Sequence, residues 1–410
     1  MTDIETSAGA LTRVPGFRAA GVACGLKQSG QPDLALVACD GPASAAGVFT
    51  TNAFRAAPVL YDAALLACAR PPQVRAVVAN AGNANACTGE QGMRDAEHMA
   101  KLAEDALGLP ADSVLVMSTG VIGHLMPMDK VARGIRAAAH ALSPDGGADA
   151  ARAIMTTDLV PKEAFTRVRL SGGSVSIGGM AKGSGMIHPA LARLHATMLC
   201  VVVTDARVAA GVLQTALEEA ANASFNRITV DGDTSTNDTV LLLAGGQAGG
   251  PEIQAGSEDY DSFKAALAQV CVSLAKQIAR DGEGATRLVE IVVRGALSAA
   301  EAERAAKTVA TSPLVKTAIF GGDPNWGRIL AAVGRSGAQV DPGRVNLWLG
   351  PVQLVAGGMP LTFDVDAARS ALRTAEVGIA VDLGLGTGQA TVWTCDFSYK
   401  YVEINAEYHT

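Results

Sequence analysis

Apolar residues along the chain change period several times, and each change marks an element. Short apolar runs between glycines recur over 21–52, most clearly at 34–38 and 45–49. Continuous apolar runs of this length predict separate buried strands. The run at 74–79 is another, and it leads into the Asn- and Gly-rich stretch 80–86, which reads as a loop. From Gly92 the period becomes helical. Met93, Ala96, Met99, Ala100, Ala103 and Leu107 share one face, and Gly108 and Pro110 stop the helix. A strand is expected at 114–117, opening into the turn 118–123, and a helix at 128–142. The glycine-rich segment 172–185 suggests tight backbone geometry. A buried strand at 198–203 follows, then helices at 209–221 and 259–280. The second of these aligns Phe263, Leu267, Val270, Leu274 and Ile278.

After residue 288 the texture resets. A strand at 288–293 precedes Ser298 and Glu301, spaced as a capping box, and the helix they open ends before Pro313. The turn-rich stretch 320–328 reads as a loop, and further strands are expected at 345–349 and 390–393. The alternation implies a layered α/β or α+β architecture with a boundary near 281–287. No βαβ unit carries the glycine pattern of a dinucleotide site.

Composition narrows the functional classes. The 410 residues are 49% hydrophobic and 18% charged, which excludes a disordered chain. The net charge is −7, from 33 basic and 40 acidic residues, so neither a nucleic-acid footprint nor a polybasic membrane surface is expected. No uncharged apolar run is long enough to cross a bilayer. Residues 1–18 lack the basic and apolar regions of a secretory signal. The seven cysteines are scattered and include no Cys-x-x-Cys pair, as in a reduced cytoplasmic protein that uses them as small hydrophobes. The six histidines form no metal-binding spacing, and no metal is expected.

Candidate chemistry clusters at a few positions. A cut at Ala196-Thr197 would leave Thr197 as a free N-terminus at the start of a buried strand. Its hydroxyl would then lie beside its own α-amine, whose pKa of about 7.7–8.0 suits a base near neutrality. Thr119 and Gly120, at a strand end, can present a hydroxyl and a backbone N–H to one point, as an oxyanion hole requires. Lys182, set among glycines, can approach a carboxylate. Glu283, in a Gly-flanked loop at the domain boundary, can hold an ammonium. Each has an ordinary reading as well: a strand start, a turn, a solvated lysine, a helix stop. The mixed apolar C-terminal residues 401–410 suggest a docked terminus.

Taken in order, these stretches resemble the ornithine acetyltransferase family, also called bifunctional glutamate N-acetyltransferase. The matching runs are Gly-Val-Phe-Thr-Thr-Asn at 47–52, Asn-Ala-Gly-Asn-Ala-Asn at 80–85, Ser-Thr-Gly-Val-Ile-Gly at 118–123 and Ile-Met-Thr-Thr-Asp at 154–158. They continue with Met-Ala-Lys-Gly-Ser-Gly-Met at 180–186, Ala-Thr-Met-Leu at 196–199 and Asp-Gly-Glu-Gly-Ala-Thr at 281–286. The last are Gly-Gly-Asp-Pro-Asn-Trp-Gly-Arg at 321–328 and Tyr-Val-Glu-Ile-Asn-Ala at 401–406. Each run alone is weak, but the ordered set spans nearly the whole chain.

The resemblance implies an αββα sandwich with a smaller second α/β domain. The main domain would be 1–284, the second 285–400, with 401–410 docking back at the active site. It implies a precursor that cleaves itself between Ala196 and Thr197 into an α chain (1–196) and a β chain. These would assemble as α2β2 or higher. The implied reaction moves an acetyl group from N-acetylornithine to glutamate through an acetyl-Thr197 enzyme, in arginine biosynthesis. No cofactor is implied, although some members also use acetyl-CoA as donor. By position, Thr197 matches the nucleophile, and Thr119 and Gly120 the oxyanion hole. Lys182, Glu283, Asn405 and Thr410 match substrate-binding positions, as does one of Thr156 and Thr157, with Thr157 preferred. One departure stands out. Six residues, 190–195, separate Pro189 from Ala196 where the family has two. They read either as an extended α-chain end or as the mark of a changed substrate. Two alternatives remain: a related N-terminal-nucleophile amidohydrolase or aminopeptidase, and an uncleaved amino-acid-binding pseudoenzyme.

Overall fold

The computed structural model describes residues 4–68, 73–189 and 198–407. The chain forms two compact units, 1–226 with 234–278, and 227–233 with 279–409.

The first unit contains β1 (Phe17–Val22), β2 (Leu34–Phe49), α1 (Ala57–Leu66), β3 (Val74–Asn83), α2 (Gly89–Leu107), β4 (Val114–Val121), α3 (Met128–Ala141) and α4 (Gly147–Ala153). It continues with β5 (Lys162–Leu170), β6 (Gly173–Lys182), β7 (Leu199–Thr204), α5 (Ala210–Ala223), β8 (Thr239–Ala244) and α6 (Glu258–Arg280). The two apolar runs expected as separate strands at 34–38 and 45–49 are one strand. The polar interruption between them is absorbed by a register shift between Ala38 and Ala43. The N-terminal part of β2, up to Ala43, pairs with β1 and β3, and Ser44–Phe49 pair with β8, so one strand belongs to both halves of the order β4-β3-β2-β8-β7-β6-β5.

Side-chain alternation explains the layers. Ala35, Val37, Val77, Ala79, Leu115 and Met117 share a core with Phe165, Met180, Leu199, Val201, Val203, Leu241 and Leu243. The two halves of the strand array therefore face each other. The alternate residues Leu34, Leu36, Ala76, Val78, Val114 and Val116 pack instead on Met99 and Ala103 of α2 and on Val131 and Ile135 of α3. On the far side, Gln277 of α6 donates to the Glu163 carbonyl of β5 at 3.1 Å, and Gln214 of α5 exchanges two hydrogen bonds with the Gly47 backbone of β2. The result is helix, sheet, sheet, helix, the αββα order.

The 172–185 segment is mostly strand β6 rather than a run of tight turns. Its glycines let neighbours approach: a Cβ on Gly178 would meet the Ala10 carbonyl oxygen at 2.2 Å. Asn80–Asn83, expected in a loop, is the end of β3. Asn80 is fully buried because Ser118 donates to its Oδ1 at 2.6 Å and its own amide donates to the Asn83 carbonyl at 2.8 Å.

The second unit contains β9 (Leu288–Ala296), α7 (Ala299–Ala310), α8 (Pro313–Gly321), α9 (Trp326–Gly334), β10 (Asn346–Leu349), β11 (Val352–Ala356) and β12 (Met359–Pro360). It ends with α10 (Val365–Leu372), β13 (Glu376–Asp382), β14 (Gly388–Cys395) and α11 (Tyr399–Glu407). The sheet order is β12-β11-β10-β13-β9-β14. Val289, Ile291, Val377, Ile379, Leu347 and Leu349 point to one face, which α7 covers with Ala302, Ala305, Ala306 and Val309. Ser298 caps α7 by accepting from Glu301 N–H at 3.2 Å. The stretch 320–328 is not a loop. It holds the end of α8, the left-handed cap Gly322, and the start of α9 capped by Asn325.

Candidate functional site

In the first unit β3 and β4 run parallel, and their C-terminal ends carry the first group of candidate residues. Thr119 and Gly120 lie within β4, in register opposite Ala81 and Gly82 of β3, rather than in a turn beyond it. The register shifts at Gly82 and Asn83, so β4 bends against β3 at that point. Gly120 has φ +134, and a Cβ there would lie 2.4 Å from the Gly82 carbonyl carbon. Only glycine fits. The strand ends are tied by Asn237, whose amide donates to the Ala84 and Ser118 carbonyls at 2.6 and 2.8 Å. A second asparagine, Asn83, donates to the carbonyls of His124 and Leu125.

Lys182, the last residue of β6, reaches the same place. Its Nζ donates to Thr156 Oγ1 at 2.6 Å and lies 3.4 Å from Thr119 Oγ1. Thr156, rather than the preferred Thr157, therefore supplies the hydroxyl that meets Lys182. Thr157 is half-buried in the following turn. Below this group lies Asp158. Its carboxylate accepts from Lys162 Nζ at 2.6 Å, Gly183 N–H at 2.7 Å and Thr156 N–H at 2.9 Å. Burial alone would raise its pKa. The ammonium groups of Lys182 and Lys162 outweigh that and hold the carboxyl well below the usual range. Asp158 and Lys162 were given no role from sequence. The available signal was an acid and a base four residues apart at the head of a buried strand.

The second unit holds Glu283 and Asn405. Glu283 is buried, and its Oε2 accepts from Asn405 Nδ2 at 2.8 Å. Asn405 also donates to the Tyr401 carbonyl one helical turn back. The Glu283 loop is held closely against α11: a Cβ on Gly284 (φ +70) would meet Tyr401 N at 2.5 Å. Ser398 Oγ donates to the Gly284 carbonyl at 2.6 Å. Tyr401 stacks on Phe397 with centroids 4.5 Å apart. Burial, then Asp231 and Glu283, push the Tyr401 phenol upward, so it stays a protonated donor. Ala196, Thr197 and Thr410 lie outside the described residues.

All seven cysteines are free. Cys39, Cys200, Cys271 and Cys395 are buried as small hydrophobes, whereas Cys68 and Cys87 are exposed. Among the described residues no group of three or more His, Cys, Asp or Glu side chains is placed to hold a metal ion, and no helix is long and apolar enough to cross a membrane.

Known proteins resemble this chain along its length. The arginine biosynthesis bifunctional protein ArgJ of Symbiobacterium thermophilum is 56% identical over 409 residues, covering 99% of this chain and all of the relative. The protein of the same name from a Synechococcus species is 49% identical over 411 residues, covering 98% of each. Among solved structures, ornithine acetyltransferase of Mycobacterium tuberculosis complexed with ornithine is 45% identical. It covers 47% of this chain and 100% of its own, with a TM-score of 0.43. Residues 18–410 match the ArgJ family. The chain belongs to the ArgJ family.

Proposed function

We propose that this protein is an ornithine acetyltransferase of arginine biosynthesis, which passes the acetyl group of N-acetylornithine to glutamate. The observation that carries the proposal is the 56% identity with an arginine biosynthesis bifunctional protein over 99% of the chain. The convergence of Lys182 on the hydroxyls of Thr156 and Thr119 supports it, since it gathers a cation and two hydroxyls at the strand ends.

In the proposed reaction the chain first cleaves itself between Ala196 and Thr197. The freed Thr197 amine takes the proton of the Thr197 hydroxyl as Oγ attacks the acetyl carbonyl. Thr119 Oγ–H and Gly120 N–H donate to the tetrahedral oxyanion. One such donor is worth about 3–4 kcal/mol. The intermediate collapses, and the Cα–NH of ornithine leaves with the proton held by the Thr197 amine. Glutamate then attacks acetyl-Thr197 with its α-amine, and the same steps run in reverse. Lys182 and Thr156 hold a substrate carboxylate. Glu283, with Asn405 and Thr410, holds a substrate ammonium.

The relatives are named bifunctional, and acetyl-CoA as a second acetyl donor to glutamate fits that word. No bound cofactor is part of the proposal. The two chains of one precursor would assemble as α2β2 or larger, in the cytoplasm.

The test is mass spectrometry of the purified chain joined to a transfer assay. The expected result is two polypeptides, the second beginning at Thr197, with glutamate accelerating the consumption of N-acetylornithine. A Thr197→Ala chain is expected to stay whole and inactive. Retained transfer by Thr197→Ala would overturn the reading. Consumption of N-acetylornithine that glutamate does not accelerate would favour a hydrolase.

A further inference from the structure

Asp158 lies beneath the Lys182, Thr156 and Thr119 group, and no step above uses it. Its side chain has no exposed surface, and the same holds for Lys162. The two carboxylate oxygens divide their partners. Oδ1 takes Lys162 Nζ at 2.6 Å and the Gly183 N–H at 2.7 Å. Oδ2 takes the Thr156 N–H at 2.9 Å and lies 3.9 Å from Lys182 Nζ. One planar group therefore spans the turn that carries Thr156 and the peptide that follows Lys182. The distance between the backbones of those two residues is set by the width of a carboxylate.

Lys162 and Lys182 both face the Asp158 carboxylate, at different distances. The short contact to Asp158 is made by Lys162, and Lys182 stands off at 3.9 Å. The Lys182 ammonium is directed instead at Thr156 Oγ1, 2.6 Å away, with Thr119 Oγ1 at 3.4 Å. A hydroxyl oxygen that faces an ammonium accepts from it and turns its own proton the other way. The Thr119 hydroxyl proton is then left to donate to a group other than Lys182.

We infer that Asp158, with Lys162 as its buried counter-ion, is a positioning residue for acetyl transfer. It holds the Lys182 ammonium between Thr156 and Thr119, and through Lys182 it orients the Thr119 hydroxyl. This inference rests on the acetyl-transfer reading.

A buried ion pair can also be merely structural, and removing one partner strands the other charge. The test therefore uses a neutral pair, Asp158→Asn with Lys162→Met, which keeps the volume and removes both charges of the short ion pair together. It is made in the wild-type background and again together with Lys182→Met, as a double-mutant cycle. The readouts are circular dichroism, the mass of the chains, and kcat and KM for transfer from N-acetylornithine to glutamate. The expected result is a folded, cleaved protein whose kcat falls about 10²-fold, the scale set by a displacement of about 1 Å at a reacting centre. Lys182→Met is expected to show no further loss when the neutral pair is added, because Asp158 acts through Lys182. Unchanged kcat in the neutral pair, or losses that add fully with Lys182→Met, would overturn the inference. If the neutral pair does not fold, Lys162→Arg carries the same cycle. It keeps the charge and moves the contact, and the same non-additivity is expected. Wild-type protein that is cleaved yet transfers no acetyl group would instead overturn the acetyl-transfer reading itself.

Discussion

At the scale of single residues, Thr119 and Gly120 are adjacent but respond to substitution in different ways. A side chain on Gly120 has nowhere to go. Its Cβ would sit 2.4 Å from the backbone of Gly82, and φ is +134. Backbone atoms of a paired strand cannot yield as a side chain can. Gly120→Ala is therefore expected to lose about 2 kcal/mol or more of stability, visible as a lower urea midpoint. Thr119 is half-buried, and its Oγ1 faces Lys182. Thr119→Ala is expected to keep the wild-type urea midpoint while kcat for acetyl transfer falls about 10²–10³-fold, the cost of one oxyanion donor. Thr119→Ser restores the hydroxyl and is expected to recover most of that loss. A Thr119→Ala enzyme with wild-type kcat would remove Thr119 from the mechanism.

At the scale of elements, what could be read from the sequence depended on whether polarity and burial agreed. Helices α2 and α6 were legible because their apolar residues recur at helical spacing and are buried where they do. The end of β3 was not, because asparagines usually mark loops, and here Asn80 and Asn83 are buried with their amides paired inside the fold. The same applies to 320–328, where the glycine turn at Gly322 ends one short helix and Asn325 caps the next. In the site, the charged residues Lys182 and Glu283 stood out among glycines. Asp158 and Asp396 did not, because a carboxylate that serves backbone N–H groups leaves no motif. Asp396 is fully buried after β14. It accepts from the N–H groups of Thr286 and Arg287, at 2.8 and 3.0 Å, and from the Arg287 guanidinium at 3.2 Å. It thus anchors the chain just after Glu283 and Gly284. Nearby, the buried Lys316 ammonium donates to Thr394 Oγ1 at 2.8 Å and to the Cys395 carbonyl, and lies over the Phe397 ring that stacks on Tyr401. Asp396→Ala is expected to cost about 3 kcal/mol, because it strands buried donors. It is also expected to raise KM for the amino-acid substrates more than it lowers kcat, since the role proposed for Glu283 is to bind substrate. Steady-state kinetics beside a denaturation curve check both parts, and an unchanged KM would separate this anchor from substrate binding.

At the scale of the molecule, each unit has its own sheet and its own core, and the change of texture in the sequence after the long helix α6 reflects that. The stability of the first unit also carries two buried carboxylates that titrate in opposite senses. Asp62 of α1 accepts from the Val116 N–H of edge strand β4 at 2.9 Å, and its second oxygen has no hydrogen-bond partner. Burial pushes its carboxyl well above the usual range, with the Val116 N–H opposing only in part. Asp158 is as deeply buried, but Lys182 and Lys162 hold it well below that range. In the unfolded chain both titrate near about 3.9. A raised carboxyl costs nothing below that value, and its cost grows as the pH climbs toward its folded pKa. A depressed carboxyl contributes in full above 3.9, and the contribution is lost as the pH falls through its folded pKa. Asp62→Asn is therefore expected to gain stability relative to wild type as pH rises from 4 to 8. Asp158→Asn is expected to lose stability relative to wild type as pH rises from 3 to 6. Urea midpoints for the three proteins across that span check both slopes. Parallel curves for wild type and Asp62→Asn would mean that the Asp62 carboxyl is reached by water. Parallel curves for wild type and Asp158→Asn would mean that the two lysines do not hold that charge, and the positioning assigned to Asp158 would lose its electrostatic basis.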